Sequence, residues 1–109
     1  MNLEDRLTKT LSDIDAAVIS LTWQDIIPMI DLTLLDAKAT VDEIHELANK
    51  ARLHRVAAIC ILPKHLPDVS PEIYIKRATV VNFPTGTQPK KQVLNTIEQT
   101  LATTRFDEI

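Results

Sequence analysis

A single glycine, Gly86, serves a chain of 109 residues, where average usage of about 7% would place roughly seven or eight. Turns that need a positive φ should therefore be few. That argues against an all-β fold and for helices joined to strands by short loops. The lone cysteine, Cys60, cannot form an intramolecular disulfide, so a reducing, cytoplasmic location is expected. Apolar runs are short. None approaches the ~20 residues of a membrane span, and the opening MNLEDRLTKTL carries acids where a secretory signal has its apolar stretch. Clustered basic charge is also missing. Lys90-Lys91 is only a pair and the net charge is -3, so neither nucleic acid nor membrane is an expected partner.

What is present suits a globular protein: 45% hydrophobic and 25% charged residues. That is enough for one compact domain, 1–109, and not for two. Residues from about Asn2 to Ser20 predict an amphipathic helix capped by Asn2. Its apolar positions Leu7, Leu11, Ile14, Val18 and Leu21 recur at alternating spacings of four and three. The pattern is taken as a helix lying on the body of its own domain. The alternative is a coiled-coil seam, for which the stripe is short, since such seams run over roughly three or four heptads.

Next, Ile26 to Leu35 is an apolar run interrupted by Pro28. Proline cannot donate to a central ladder, so a strand is expected from Met29, with Asp31 and Thr33 at or near its C-terminal end. Thr40 and Glu43 have capping-box spacing, and Ile44, Leu47, Ala48 and Ala51 form the buried stripe of the helix they start. Val56 to Leu62 is continuously apolar and ends at Pro63, as a strand covered on both faces should be. Pro63 to Pro71 is a proline-punctuated connector. A third strand is expected over Ile75 to Phe83, ended by Pro84-Thr85-Gly86. A helix follows from Pro89 to Thr103 with Val93, Leu94, Ile97 and Leu101 on one face, and Phe106-Asp107-Glu108-Ile109 begins a fourth strand. Strands alternating with helices imply right-handed parallel crossovers, and hence an α/β fold.

Three stretches carry a specific likeness. Met29-Ile30-Asp31-Leu32-Thr33-Leu34-Leu35, followed by Ala39-Thr40 and its helix, resembles the opening strand of the deoxyribose-phosphate aldolase family. Ala57-Ala58-Ile59-Cys60-Ile61-Leu62-Pro63 is similar to the family's second strand. Pro71-Glu72-Ile73, then Ala78-Thr79-Val80-Val81-Asn82-Phe83-Pro84-Thr85-Gly86, is similar to its third strand and the loop beyond, and Asp107-Glu108-Ile109 to the start of its fourth. These pieces stand in order and at family spacing from Met29 to Ile109. Family members are (β/α)8 TIM barrels, a fold of about 250 residues. The resemblance therefore implies the N-terminal portion of such a barrel. It would hold about three βα units in 29–109, an N-terminal helix in 1–22, and the start of a fourth strand.

The same resemblance implies a class I aldolase that reversibly cleaves 2-deoxy-D-ribose 5-phosphate to acetaldehyde and D-glyceraldehyde 3-phosphate. A lysine forms a Schiff base with the carbonyl substrate, and no metal or other cofactor takes part. Such a lysine must be neutral to attack, which burial or a neighbouring cation achieves. In the family it comes from the sixth strand, its partner lysine from the seventh, and a helper aspartate from the fourth. Phosphate is held by the last loops of the barrel. The lysines here are Lys9, Lys38, Lys50, Lys64, Lys76, Lys90 and Lys91, all expected on helices, in loops or at a strand entrance. A solvated lysine is almost wholly protonated at neutral pH and a poor nucleophile. The match stops one position short of the helper aspartate. The chain alone is expected to be a truncated, inactive form of the lyase.

By resemblance, Asp31 is an auxiliary catalytic acid. Thr33 would hydrogen-bond a substrate hydroxyl, and Cys60 and Asn82 would line the cavity. Without the likeness, Asp31 caps a strand end or a turn, Cys60 is a small buried hydrophobe, and Gly86 is a backbone requirement. His45 is expected to be solvated, His54 to fall in the last turn of its helix, where positive charge suits the dipole, and His65 to lie in the connector. No two histidines have metal-ligand spacing. A partial barrel leaves open strand edges, which invite self-association or domain swapping. Two further readings stand beside the aldolase one. The first is a small non-enzymatic module that oligomerises or binds through the barrel's first strands. The second is a flavodoxin-like fold, which the lack of a phosphate-binding turn after any strand disfavours.

Overall fold

The computed structural model describes residues 2–109, leaving aside the side chains of 15–19. Helix α1 (Leu3–Ser20) is followed by a single helical turn, α2 (Trp23–Ile26), and a 3-10 turn, Ile27–Met29. Then come β1 (Asp31–Leu34), α3 (Val41–His54), β2 (Ala58–Ile61), a 3-10 segment (Pro63–Asp68), β3 (Lys76–Ala78) and α4 (Lys90–Thr103). The strands form one parallel sheet in the order β1-β2-β3. The expected fourth strand is present as one parallel bridge from Ala78 to Glu108. This is the α/β arrangement the alternating pattern requires, and it forms part of a barrel wall, not a closed barrel.

One face of the sheet carries the core. Ile59 and Ile61 of β2 pack with Ile44, Ala48 and Ala51 of α3 and with Leu66 and Val69 of the connector, and Leu32 and Leu34 border them. The periodic stripe of α3 accounts for this packing, as expected. The Thr40 hydroxyl accepts the Glu43 N–H at 3.1 Å, which starts the helix. The α3 C-cap, Arg55, adopts a left-handed φ of 58°, a place where glycine is more usual.

Several expectations need correction. Strand β1 begins at Asp31, not Met29, because Pro28 joins Ile27 and Met29 in a 3-10 turn. Helix α2 was missed. Its signal is Thr22 with Asp25 three residues later, a reciprocal capping box in which Thr22 N–H and Oγ1–H both donate to Asp25 Oδ2, at 3.0 and 2.9 Å. Those bonds to the backbone and hydroxyl of Thr22 hold the Asp25 carboxyl below the usual carboxylate range. Strand β3 stops at Ala78, although its apolar sequence continues to Phe83. Beyond it, Thr79 bonds Glu108 on one side and donates its hydroxyl to the Ile61 carbonyl at 2.8 Å on the other.

The largest departure is α1. Leu7, Leu11 and Ile14 are 55%, 62% and 52% exposed, so the stripe does not lie on the body; the Val18 side chain falls outside the described residues. The outer face of the sheet is already covered by α3 and the connector. Accordingly, the radius of gyration is 18.0 Å, against about 13 Å for a compact domain of 100 residues. Helix α4 departs in the same way. Leu94 and Leu101 are exposed, and Thr100 is its buried side chain. Thr96, Thr100 and Thr103 return their hydroxyls to carbonyls one turn back, at 3.0, 2.7 and 2.7 Å. That bonding lets them face the Pro63-Lys64 connector without an unpaired polar group.

Candidate functional site

Alternation along each strand sends successive side chains to opposite faces. In β1, Leu32 and Leu34 go to the core, which puts Asp31 and Thr33 on the other, open face, where both are exposed. Register then sets their neighbours. Asp31 pairs with Ala58 and Ala58 with Lys76, while Thr33 pairs with Cys60 and Cys60 with Ala78. Two rows therefore cross the open face, Asp31-Ala58-Lys76 and Thr33-Cys60-Ala78, with strands about 4.8 Å apart. Three of the four expected site residues are thus brought together.

Their positions differ in detail from the expectation. Asp31 opens its strand instead of closing it. The Thr33 hydroxyl donates to the Asp31 carbonyl at 2.9 Å, a bond that orients Oγ1 along its own strand. Cys60 is partly buried. Burial pushes its thiol up, and the Asp31 carboxylate adds to the shift; both disfavour the thiolate. Lys76 joins the first row, a placement that only the strand register reveals.

Asn82 stands apart, past the end of β3, with a left-handed φ of 56°. Its Oδ1 accepts the Gln88 N–H at 2.8 Å and its carbonyl accepts the Gly86 N–H at 2.7 Å. It therefore locks the loop that ends β3. Gly86 has φ 71° and nothing within 4 Å of the position a Cβ would take. Backbone conformation, not crowding, is what calls for glycine there.

All seven lysines are exposed. His45 and His54 are exposed too, the latter closing α3. His65 is buried in the connector, with Nε2 3.2 Å from the Asp36 carbonyl oxygen and Nδ1 3.6 Å from Asp68 Oδ2. Among the described residues, no three His, Cys, Asp or Glu side chains gather as a metal ion would need. No helix among them is long and apolar enough to cross a membrane.

Comparison with known proteins supports the likeness read from the strands. The chain is 36% identical over 67 residues to a deoxyribose-phosphate aldolase of Mycoplasmoides pirum, an overlap of 59% of this chain and 30% of that one. It is 35% identical over 71 residues to the enzyme of that name from Kocuria rhizophila, covering 65% and 32%. The corresponding figures for Deinococcus radiodurans are 39% over 66 residues, covering 58% and 30%. A tetrameric deoxyribose phosphate aldolase from Aeropyrum pernix superposes with a TM-score of 0.70 at 21% identity, over 80% of this chain and 38% of that one. The aldolase QR15 gives 0.68 at 21% identity, over 77% and 38%. No family model matches. The matched stretch spans about a third of the length of the curated relatives, and the shared fold is the opening part of their barrel.

Proposed function

We propose, from the premise that this chain resembles the N-terminal part of the deoxyribose-phosphate aldolases, that it forms one wall of a class I aldolase cavity. The observation that carries this reading is the pair of rows on the open face, which sets Asp31 and Thr33 of β1 beside Cys60 of β2. In the complete barrel the substrate is 2-deoxy-D-ribose 5-phosphate and the products are acetaldehyde and D-glyceraldehyde 3-phosphate. Asp31 holds charge and protons as an auxiliary acid. Thr33 turns its hydroxyl to a substrate hydroxyl, and Cys60 and Asn82 line the cavity, Asn82 by fixing the loop. The 1–109 stretch acts as one partial barrel domain, with 1–22 as its N-terminal helix and 29–109 as its first βα units.

The amine that makes the Schiff base must come from later strands. A nucleophilic lysine has to lose its proton in a desolvated pocket or beside another cation, and every lysine here is exposed. Borohydride reduction in the presence of acetaldehyde should leave no added mass on any of the seven lysines. Fusing the chain to the later strands of a relative should restore retro-aldol turnover. In that fusion Asp31→Asn should lower turnover by roughly 10²–10⁴, the usual contribution of a positioned proton-transfer group. A reduced adduct on the chain alone, or a fusion indifferent to Asp31→Asn, would overturn the assignment.

A second reading, self-association, is favoured by the uncovered stripe of α1 and the unpaired outer edge of β1. Leu11→Asp with Ile14→Asp places two charges on the stripe. The variant should bring the light-scattering mass at micromolar concentration down to that of a 12.2 kDa monomer while the far-ultraviolet dichroism of the sheet persists. An unchanged mass would move the contact from the helix to the strand edges.

A further inference from the structure

At the entrance end of β3, away from the loop that Asn82 locks, Arg77 is only 6% exposed. Buried guanidinium groups are ordinarily paired with a carboxylate, yet this one is bonded to carbonyl oxygens alone. It donates to Ile75 at 3.3 Å, Ser70 at 3.1 Å and Ile73 at 3.5 Å. The ion pair found among the described residues is His65–Asp68, in the connector. Arg77 therefore makes no direct ion pair, and Asp107 is the acid nearest in charge to it.

Beside it opens a cleft of about 140 Å³ lined by Pro71, Tyr74, Lys76, Arg77, Arg105 and Asp107 together with the two isoleucines already named. Three cationic residues and one acidic residue meet here, in a chain whose net charge is -3. Asp107 Oδ2 accepts the backbone N–H of Arg77 at 2.8 Å, so the acid offsets one of the three cations and the lining keeps an excess of positive charge. Burial holds the Arg77 guanidinium below its usual range and the charge of Arg105 presses it further down, while the Asp107 carboxylate opposes the shift. Arg77 and Arg105 line the same cleft with Lys76, and an anion there would ease the repulsion between the two guanidinium groups.

We propose that this cleft binds a small phosphate-type oxyanion, either free or as the head of a phosphomonoester. The guanidinium fork of Arg105 suits two oxygens of such a group, while Lys76 and the exposed Tyr74 hydroxyl are available to others. Binding there fastens the 104–109 segment to the entrance of β3. The site shares Lys76 with the first row of the open face but uses none of Asp31, Thr33, Cys60 and Asn82, so it can fail while the aldolase reading stands.

Isothermal titration with inorganic phosphate and, separately, with glycerol 3-phosphate tests this, with ionic strength held constant by sodium chloride. Saturable one-to-one binding of either ligand is expected, and the tighter of the two identifies the source. Arg105 is exposed, so Arg105→Gln should leave the circular dichroism unchanged and weaken binding at least tenfold. Lys76→Gln should also weaken it, and Lys90→Gln, on α4, should not. Heats that do not saturate, or an Arg105→Gln chain that binds as tightly as the parent, would overturn the proposal.

Discussion

Ile59→Ala is expected to remove about 2–5 kcal/mol of unfolding free energy, the range for truncating a buried isoleucine to alanine. Ile59 is 0% exposed. It lies in β2 between Leu32 and Arg77 of the flanking strands and faces the small side chains of α3. Removal leaves a cavity there, because those alanines belong to a helix fixed at both ends and cannot advance to fill it. Domains of this size typically hold only about 5–15 kcal/mol in total. The core is also small, so the variant should be largely unfolded at 37 °C. Urea denaturation followed by circular dichroism gives the number, and Leu53→Ala, at a position 75% exposed, serves as the control and should change stability by less than about 0.5 kcal/mol. A loss below 1 kcal/mol at Ile59 would mean the sheet face is not packed as described.

Arg77→Met ranks next. Methionine keeps most of the stem volume but returns no donors, so the Ser70, Ile73 and Ile75 carbonyls lose their shared partner. The Ser70 and Ile73 carbonyls keep the N–H groups of Ile73 and Ile75, so the loss is that of the bonds to a charged donor, about 1.5–3 kcal/mol. The same urea experiment measures it. A Met variant as stable as the parent would show that the turn before β3 is held by its own backbone.

Much of this fold is visible in the amino-acid order. The stripe Ile44, Leu47, Ala48 and Ala51 predicts α3, because burial on one helix face leaves a periodic mark. The apolar run before Pro63 predicts β2, although the face that carries Cys60 is only partly covered. The scarcity of glycine was a partial guide. Three described residues have positive φ, and two of them, Arg55 and Asn82, are not glycine. The end of β3 was not legible, because hydrophobicity reports burial and not pairing. Val80 and Val81 are as apolar as a strand needs, yet the ladder stops where its neighbour offers only the Glu108 bridge. The stripe of α1 was legible as a pattern but not in its placement. A row of leucines states that something should cover it and is silent about what.

At the site, Asp31, Thr33 and Cys60 could be picked out by family likeness, and alternation puts Asp31 and Thr33 on one face. That Cys60 and Lys76 share it depends on register across strands, a relation between distant residues that no local pattern encodes. Arg77 gave no signal in the sequence, since a lone arginine near a strand entrance is ordinarily solvated.

The strands lie side by side in the order in which they are made, and the Glu108 bridge extends that order on the flank of β3 away from β2. Each new strand needs only the one before it as a template. A chain emerging from the ribosome could therefore lay down this wall progressively, without waiting for distant residues to arrive, and the contacts it must find first are the ones nearest in sequence.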